Sequence, residues 1–135
     1  MTPRLDLIGI VSDDIPASLA FYRRLGVDIP EGAESEPHVE TTLPGGLRLA
    51  WDDAKVFGDG ASGGDRPTAR RIVLSFLCDS PADVDAQYAD LVRAGYTGEK
   101  EPWDAFWGQR YAVVLDPDGN GIDLFAWLGT DQAGS

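Results

Sequence analysis

The chain has 135 residues, 43% of them hydrophobic, with 23 acidic against 11 basic side chains and a formal net charge of -12. That length suits one compact domain or two small modules, and the charge opposes a phosphate backbone, so nucleic acid is excluded as an expected partner. With no apolar run of ~20 residues, no charged-then-apolar leader and one cysteine, Cys78, a cytoplasmic protein with no membrane partner and no disulfide is expected.

In chain order, Leu5 to Val11 reads as an apolar strand. A helix follows, with Asp14 as its cap, Pro16 in its first turn, and Ile15, Leu19, Tyr22 and Leu25 on one face. Gly26 ends it. An extended stretch is expected near Val27–Ile29, a strand at His38–Leu43, a Pro44-Gly45-Gly46 turn, and a strand at Leu47–Trp51. The second half begins again with a strand over Arg71–Leu77. Ser80 caps a helix whose apolar face is Val84, Tyr88 and Leu91, and Gly95 ends it. Strands follow near Tyr96–Lys100, Tyr111–Leu115 and Ile122–Leu128. The last two are joined by Asp116-Pro117-Asp118-Gly119-Asn120, where Pro117 presets φ and the acids bond back to the backbone.

Each half is therefore strand, helix, then three strands, a doubled unit. The fold class is α+β: tandem βαβββ modules over residues 1–51 and 70–128, a Gly-rich linker over 52–69, and a tail over 129–135.

Most catalytic schemes find no support. There is no Gly-x-Ser-x-Gly elbow, and no Ser or Cys stands in a recognisable arrangement with His and an acid. The glycines from Gly58 to Gly64 lack the Lys and Ser/Thr of a phosphate loop. Cys78 lies at the end of an apolar strand, as a small core residue would.

Three stretches carry a family resemblance. They are residues 14–26 (Asp-Ile-Pro-Ala-Ser-Leu-Ala-Phe-Tyr-Arg-Arg-Leu-Gly), residues 102–111 (Pro-Trp-Asp-Ala-Phe-Trp-Gly-Gln-Arg-Tyr), and the Asp116–Asn120 turn. The chain resembles the vicinal oxygen chelate superfamily, which includes glyoxalase I, extradiol dioxygenases, fosfomycin-modifying enzymes and bleomycin-resistance proteins. Residues 102–111 look like the loop and strand before that turn in its bleomycin-resistance-like members.

The resemblance implies the glyoxalase/bleomycin-resistance fold, in which sheets curl around a cup and two chains commonly share the cups in a homodimer. In the metalloenzymes, ligands come from the first and last strands of each module. Those positions fall here on Leu7, on Arg48 or Leu49, on Arg71 or Val73, and on Asp123. Leucine has no lone pair to give, and arginine repels a cation. A metal-independent protein without a cofactor is expected, binding rather than turning over its ligand.

Aromatic residues take the place of ligands in that reading. Trp51 ends the last strand of the first half, while Trp103, Phe106, Trp107 and Tyr111 cluster before the Asp116 turn, in what reads as a polar loop running into a strand. Phe125 and Trp127 share strand parity with Asp123. Planar rings offer large contact area at low entropic cost, which suits a flat, conjugated ligand. His38 and Arg48 are further candidate contacts, and Gln109 and Arg110 could orient the ligand.

The expected function is sequestration of an aromatic or polycyclic antibiotic, a small-molecule natural product, in clefts at a homodimer interface. Two alternatives stay open: a metal-dependent glyoxalase-like lyase, isomerase or dioxygenase, and a metal-free enzyme using Asp123.

Overall fold

The computed structural model describes residues 1–2, 4–57 and 73–129, and the chain divides into two units, 1–68 and 69–135. The fold is α+β, with one mixed sheet in each unit. No helix among the described residues is long and apolar enough to cross a membrane.

The first unit contains β1 (Leu7–Ser12), α1 (Ile15–Leu25), a 3-10 turn (Ala33–Ser35), β2 (His38–Thr42), β3 (Arg48–Asp53) and α2 (Ala54–Phe57). Helix α1 starts where Asp14 accepts a hydrogen bond from the Ala17 amide at 3.1 Å. It stops at Gly26, whose φ of 116° lets its amide close onto the Tyr22 and Arg23 carbonyls. In the sheet, β3 is central, parallel to β1 and antiparallel to β2. Leu19, Phe21 and Tyr22 of α1 are fully buried, as is Trp51, whose ring lies 5.4 Å from that of Tyr22.

The Val27–Ile29 stretch is not a strand, so this sheet has three strands rather than four. Val27 and Ile29 are buried, yet the Asp28 carbonyl accepts from the Thr41 hydroxyl at 2.6 Å instead of entering a ladder. The linker expected to start at residue 52 starts later. Strand β3 continues to Asp53, whose carboxylate then accepts from the Lys55 amide at 2.8 Å as α2 begins. The remainder of that linker, 58–69, the segment at 71–72 and the tail from 130 lie outside the described residues.

The second unit contains β4 (Leu74–Leu77), α3 (Pro81–Arg93), β5 (Thr97–Ala105), β6 (Gln109–Leu115) and β7 (Gly121–Trp127). Strand order is β4-β7-β6-β5, parallel between β4 and β7 and antiparallel elsewhere. Ser80 caps α3 by accepting from the Asp83 amide at 3.2 Å. The helix packs on β5, β6 and β7; its Val84 and Leu91 are buried, as are Ala112, Val114, Ile122, Leu124 and Ala126 of the strands. Arg110 locks this contact with a two-pronged pairing to Asp85 of α3, at 2.9 and 3.2 Å, and reaches Asp104 at 3.0 Å.

Two local features shape the other face. The segment expected to be a polar loop before Tyr111 is mostly strand, because β5 runs through Trp103 to Ala105. A three-residue turn, Phe106-Trp107-Gly108, then reverses the chain; Gly108 takes φ of 93° and donates to the Ala105 carbonyl at 3.0 Å. At the β6–β7 connection, buried Asp116 accepts from the Asp118 amide, the Asn120 amide and the Asn120 side chain at 2.8–2.9 Å. Its carboxylate is spent on holding that turn.

Candidate binding face

The open face of the second sheet is built in rows, because strand registry places side chains side by side. One row holds Ser75, Asp123, Val113 and Lys100. The next holds Leu77, Phe125, Tyr111 and Trp103, and a third holds Trp127, Gln109 and Ala105.

The middle row is a continuous aromatic floor. Trp103 and Tyr111 have ring centroids 5.5 Å apart, and Tyr111 and Phe125 lie 6.2 Å apart with planes only 27° from parallel. Trp107 stands edge-on to Tyr111 at 5.4 Å and to Trp103 at 6.2 Å, while Trp127 stands edge-on to Phe125 at 6.4 Å. The Trp107 indole N–H donates to the Gln109 carboxamide at 2.8 Å, which holds that wall upright. Trp107 is 46% exposed and Trp127 45%, so both present ring area to whatever approaches this face. Phe106, on the turn, is 95% exposed and touches the Trp107 ring at 5.1 Å.

Polar groups flank the floor. The Tyr111 phenol donates to Asp123 Oδ2 at 2.5 Å. Burial, and then the adjacent Asp123 carboxylate, push the phenol above its ordinary value, with Ser75 opposing. Lys100 lays its ammonium 4.9 Å from the Trp103 ring centroid.

The structure thus gathers Trp103, Phe106, Trp107, Tyr111, Asp123 and Phe125 into one neighbourhood of the second unit. Trp51 is not among them: it points under α1 with no exposed surface, and its indole N–H meets no acceptor among the described residues. Strand alternation explains this, since Leu49 and Trp51 share the helix-facing side of β3. Arg110, expected to orient the ligand, faces α3 for the same reason, one residue out of phase with Tyr111. Lys100, Ser75 and Leu77 were not singled out from the sequence; only registry places them beside the aromatic floor.

His38 and Arg48 belong to the first unit, on the side of its sheet away from Trp51. There they form a chain of ion pairs running Asp52, His38, Glu40, Arg48, Asp6. His38 Nδ1 meets Asp52 at 2.5 Å and Nε2 meets Glu40 at 2.9 Å. Both carboxylates accept, so the arrangement favours the imidazolium, which can donate to both at once. Asp52 first, then Glu40, raise its pKa above the ordinary value.

The positions that would hold a divalent ion in the resembling metalloenzymes do not fit one here. Leu7 offers no donor, and the Arg48 guanidinium is engaged by Asp6 and Glu40. Asp123 stands beside the Tyr111 phenol and the aromatic middle row, and Arg71 lies outside the described residues. Among the described residues, no group of three or more His, Cys, Asp or Glu is placed to hold a metal. Nor is Cys78 an activated nucleophile: burial first, then Asp83 and Asp79, raise its pKa and keep the thiol protonated.

Comparison with known proteins agrees with this architecture. Residues 4–124 match the family described as the Glyoxalase/Bleomycin resistance protein/Dioxygenase superfamily. A crystal structure of a glyoxalase/bleomycin resistance protein/dioxygenase from Nocardioides is 26% identical, with TM-score 0.72, over 95% of this chain and 85% of that one. A family enzyme from Burkholderia phytofirmans PsJN is 23% identical, with TM-score 0.78, over 93% of this chain and 100% of that one. A glyoxalase-related enzyme from Fulvimarina pelagi is 20% identical, with TM-score 0.75, over 93% and 88%. No curated protein matches the chain. A match over nearly the whole sequence, carried by the same paired-module architecture, makes the chain a member of the glyoxalase/bleomycin resistance protein/dioxygenase superfamily.

Proposed function

We infer that this protein sequesters a flat aromatic or polycyclic small molecule, an antibiotic in the manner of bleomycin-resistance proteins, without chemical turnover. The observation that carries this reading is the aromatic floor Trp103–Tyr111–Phe125, with Trp107 and Trp127 standing edge-on beside it. Such a surface gains dispersion and solvent release from a planar ligand, about 0.5–1.5 kcal/mol per ring pair beyond area burial. Capture needs affinity rather than an activated nucleophile or metal, and the donor set described above suits capture better than Lewis-acid chemistry.

In the same reading the working unit is a cytoplasmic homodimer. Exposed Phe106 and Leu77 border the aromatic floor, and apolar surface of this kind is what a second copy covers while completing a cleft. Light scattering at micromolar concentration checks the oligomeric state, and a monomer throughout would remove the dimer from the proposal.

The test of capture uses tryptophan emission. Three of the four tryptophans lie on the open face and Trp51 does not, so a bound chromophore should quench most of the emission and leave a residual from Trp51. After saturation the compound is extracted and compared with the starting material. Unchanged compound at one equivalent per site is the expected result; a modified product accumulating over time defeats the capture reading.

A further inference from the structure

We propose that the open aromatic face of the second unit selects ligands carrying an organic cation, a protonated or quaternary amine on a flat ring system. Its anchor is Asp123, and Lys100 is a built-in competitor for the ring face that the ligand must cover. The proposal rests on the capture reading above and adds the charge class of the ligand.

Registry sets Lys100 and Asp123 in one row, on either side of Val113. Adjacent strands are ~4.8 Å apart, so the two backbones are separated by roughly 10 Å. Between and beside them lies the floor Trp103–Tyr111–Phe125. Asp123 is the one carboxylate in the three rows. Its Oδ2 is held by the Tyr111 phenol, while Oδ1 meets no donor among the described residues. The phenol fixes the direction of the carboxylate and leaves one oxygen for an incoming N–H or ammonium.

Lys100 shows that the floor takes a cation. Its ammonium lies 4.9 Å from the Trp103 ring centroid, where the negative ring face attracts positive charge. Lys100 forms no carboxylate pair among the described residues and is exposed, so an arriving ring can displace it. A neutral ring must give up that contact without replacing the charge. A cationic ring restores the charge over the aromatic floor and gains Asp123 as well. The formal net charge of -12 raises the local concentration of such a ligand in the same sense.

The experiment compares two probes of nearly one shape, the cationic dye thioflavin T and uncharged 2-(4-dimethylaminophenyl)benzothiazole, by calorimetric titration at low ionic strength. The wild-type protein is expected to bind the cation about fivefold or more tightly, the ratio for one partly exposed charge contact. D123N, which keeps the shape and the hydrogen bond from Tyr111, should bring the ratio close to one while leaving the neutral compound within about twofold. K100Q should move the other way and tighten the cation more than the neutral probe. D79N, at an exposed acid outside the rows, should leave the ratio unchanged and so separates Asp123 from overall charge. A neutral probe bound as tightly as the cation, or a preference that survives D123N, overturns the charge selection and leaves the aromatic capture reading standing. Failure of both probes to bind overturns both.

Discussion

Tyr111 and Asp123 are diagonal neighbours across β6 and β7, two registry pairs apart on the same face, and the phenol spans that diagonal with a 2.5 Å hydrogen bond. The pairing ties the aromatic floor to the carboxylate of Asp123. Losing the phenolic proton would set a phenolate against that carboxylate in a half-buried place, so the proton is held strongly.

The first prediction follows from this relationship. The difference between the alkaline absorbance titrations of wild type and Y111F isolates Tyr111, and its midpoint should lie above the ordinary value of 10.0. A folded-state pKa raised above the unfolded one means stability that is complete below about pH 10 and lost as pH climbs through the folded value. Wild type should therefore lose more stability than Y111F over that alkaline window. A midpoint at or below 10 would show that the short hydrogen bond does not form in solution.

His38 offers a second pH test, in the neutral range. It is the only histidine in the chain, so its imidazole protons can be followed by NMR without assignment. The midpoint should lie above 6.5, with the largest fall in D52N, because the Asp52 hydrogen bond is the leading cause of the shift. Here too the folded pKa is raised. The contribution is whole below about pH 6.5 and disappears as pH rises through the folded midpoint. His38 is exposed, so the effect on stability should be small and weakened further by salt. A midpoint that does not move in D52N would break the proposed chain of ion pairs.

Trp51 and Trp107 should separate stability from binding. W51A removes the largest fully buried side chain and is expected to cost about 3–5 kcal/mol in a denaturant melt. W51F should cost far less, since it keeps a ring against Tyr22 and removes an indole N–H that has no acceptor among the described residues. W107A, on the exposed face, should leave stability within about 1 kcal/mol and weaken a captured aromatic by about 1 kcal/mol or more. Equal binding by W107A and wild type would take Trp107 out of the site.

Gly98 is a sensitive point of the second core. A Cβ built there would stand 2.1 Å from the Tyr88 hydroxyl and 2.6 Å from its ring, so the tyrosine of α3 lies directly on the bare backbone of β5. G98A should destabilise by about 1–3 kcal/mol, in the range for overpacking. The Y88A background should relieve most of that cost, and a double-mutant cycle reads the coupling. Additive effects would mean that the ring already lies elsewhere.

Much of this architecture was legible before any coordinates, and the reasons are local. Asp14 and Ser80 cap their helices because a short oxygen-bearing side chain can reach a free amide in the first turn. Gly26 and Gly95 end them because only glycine enters positive φ without strain. The Asp116–Asn120 turn folds through hydrogen bonds that span at most four residues. The alternation of Asp123, Phe125 and Trp127 against Ile122, Leu124 and Ala126 states which side of β7 is buried, although not what covers it.

Other features had no local cause. Val27–Ile29 has the composition of a strand, but joining a sheet requires a free edge, which is a property of the assembled unit. Trp51 carries the same alternation as a surface aromatic, and only the arrival of Tyr22 from α1 makes its side the inside. Lys100 and Trp103 differ by three residues, so a regular strand would turn them to opposite faces. Irregular pairing between Gly98 and Trp103 brings both to the same one. The sequence by itself determined the turns, the caps and the doubled α+β plan, because those depend on contacts between near neighbours in the chain. Which aromatic rings form one floor, and which charges stand at its ends, was decided by strand registry, where residues distant in sequence meet and a single bulge inverts every side chain beyond it.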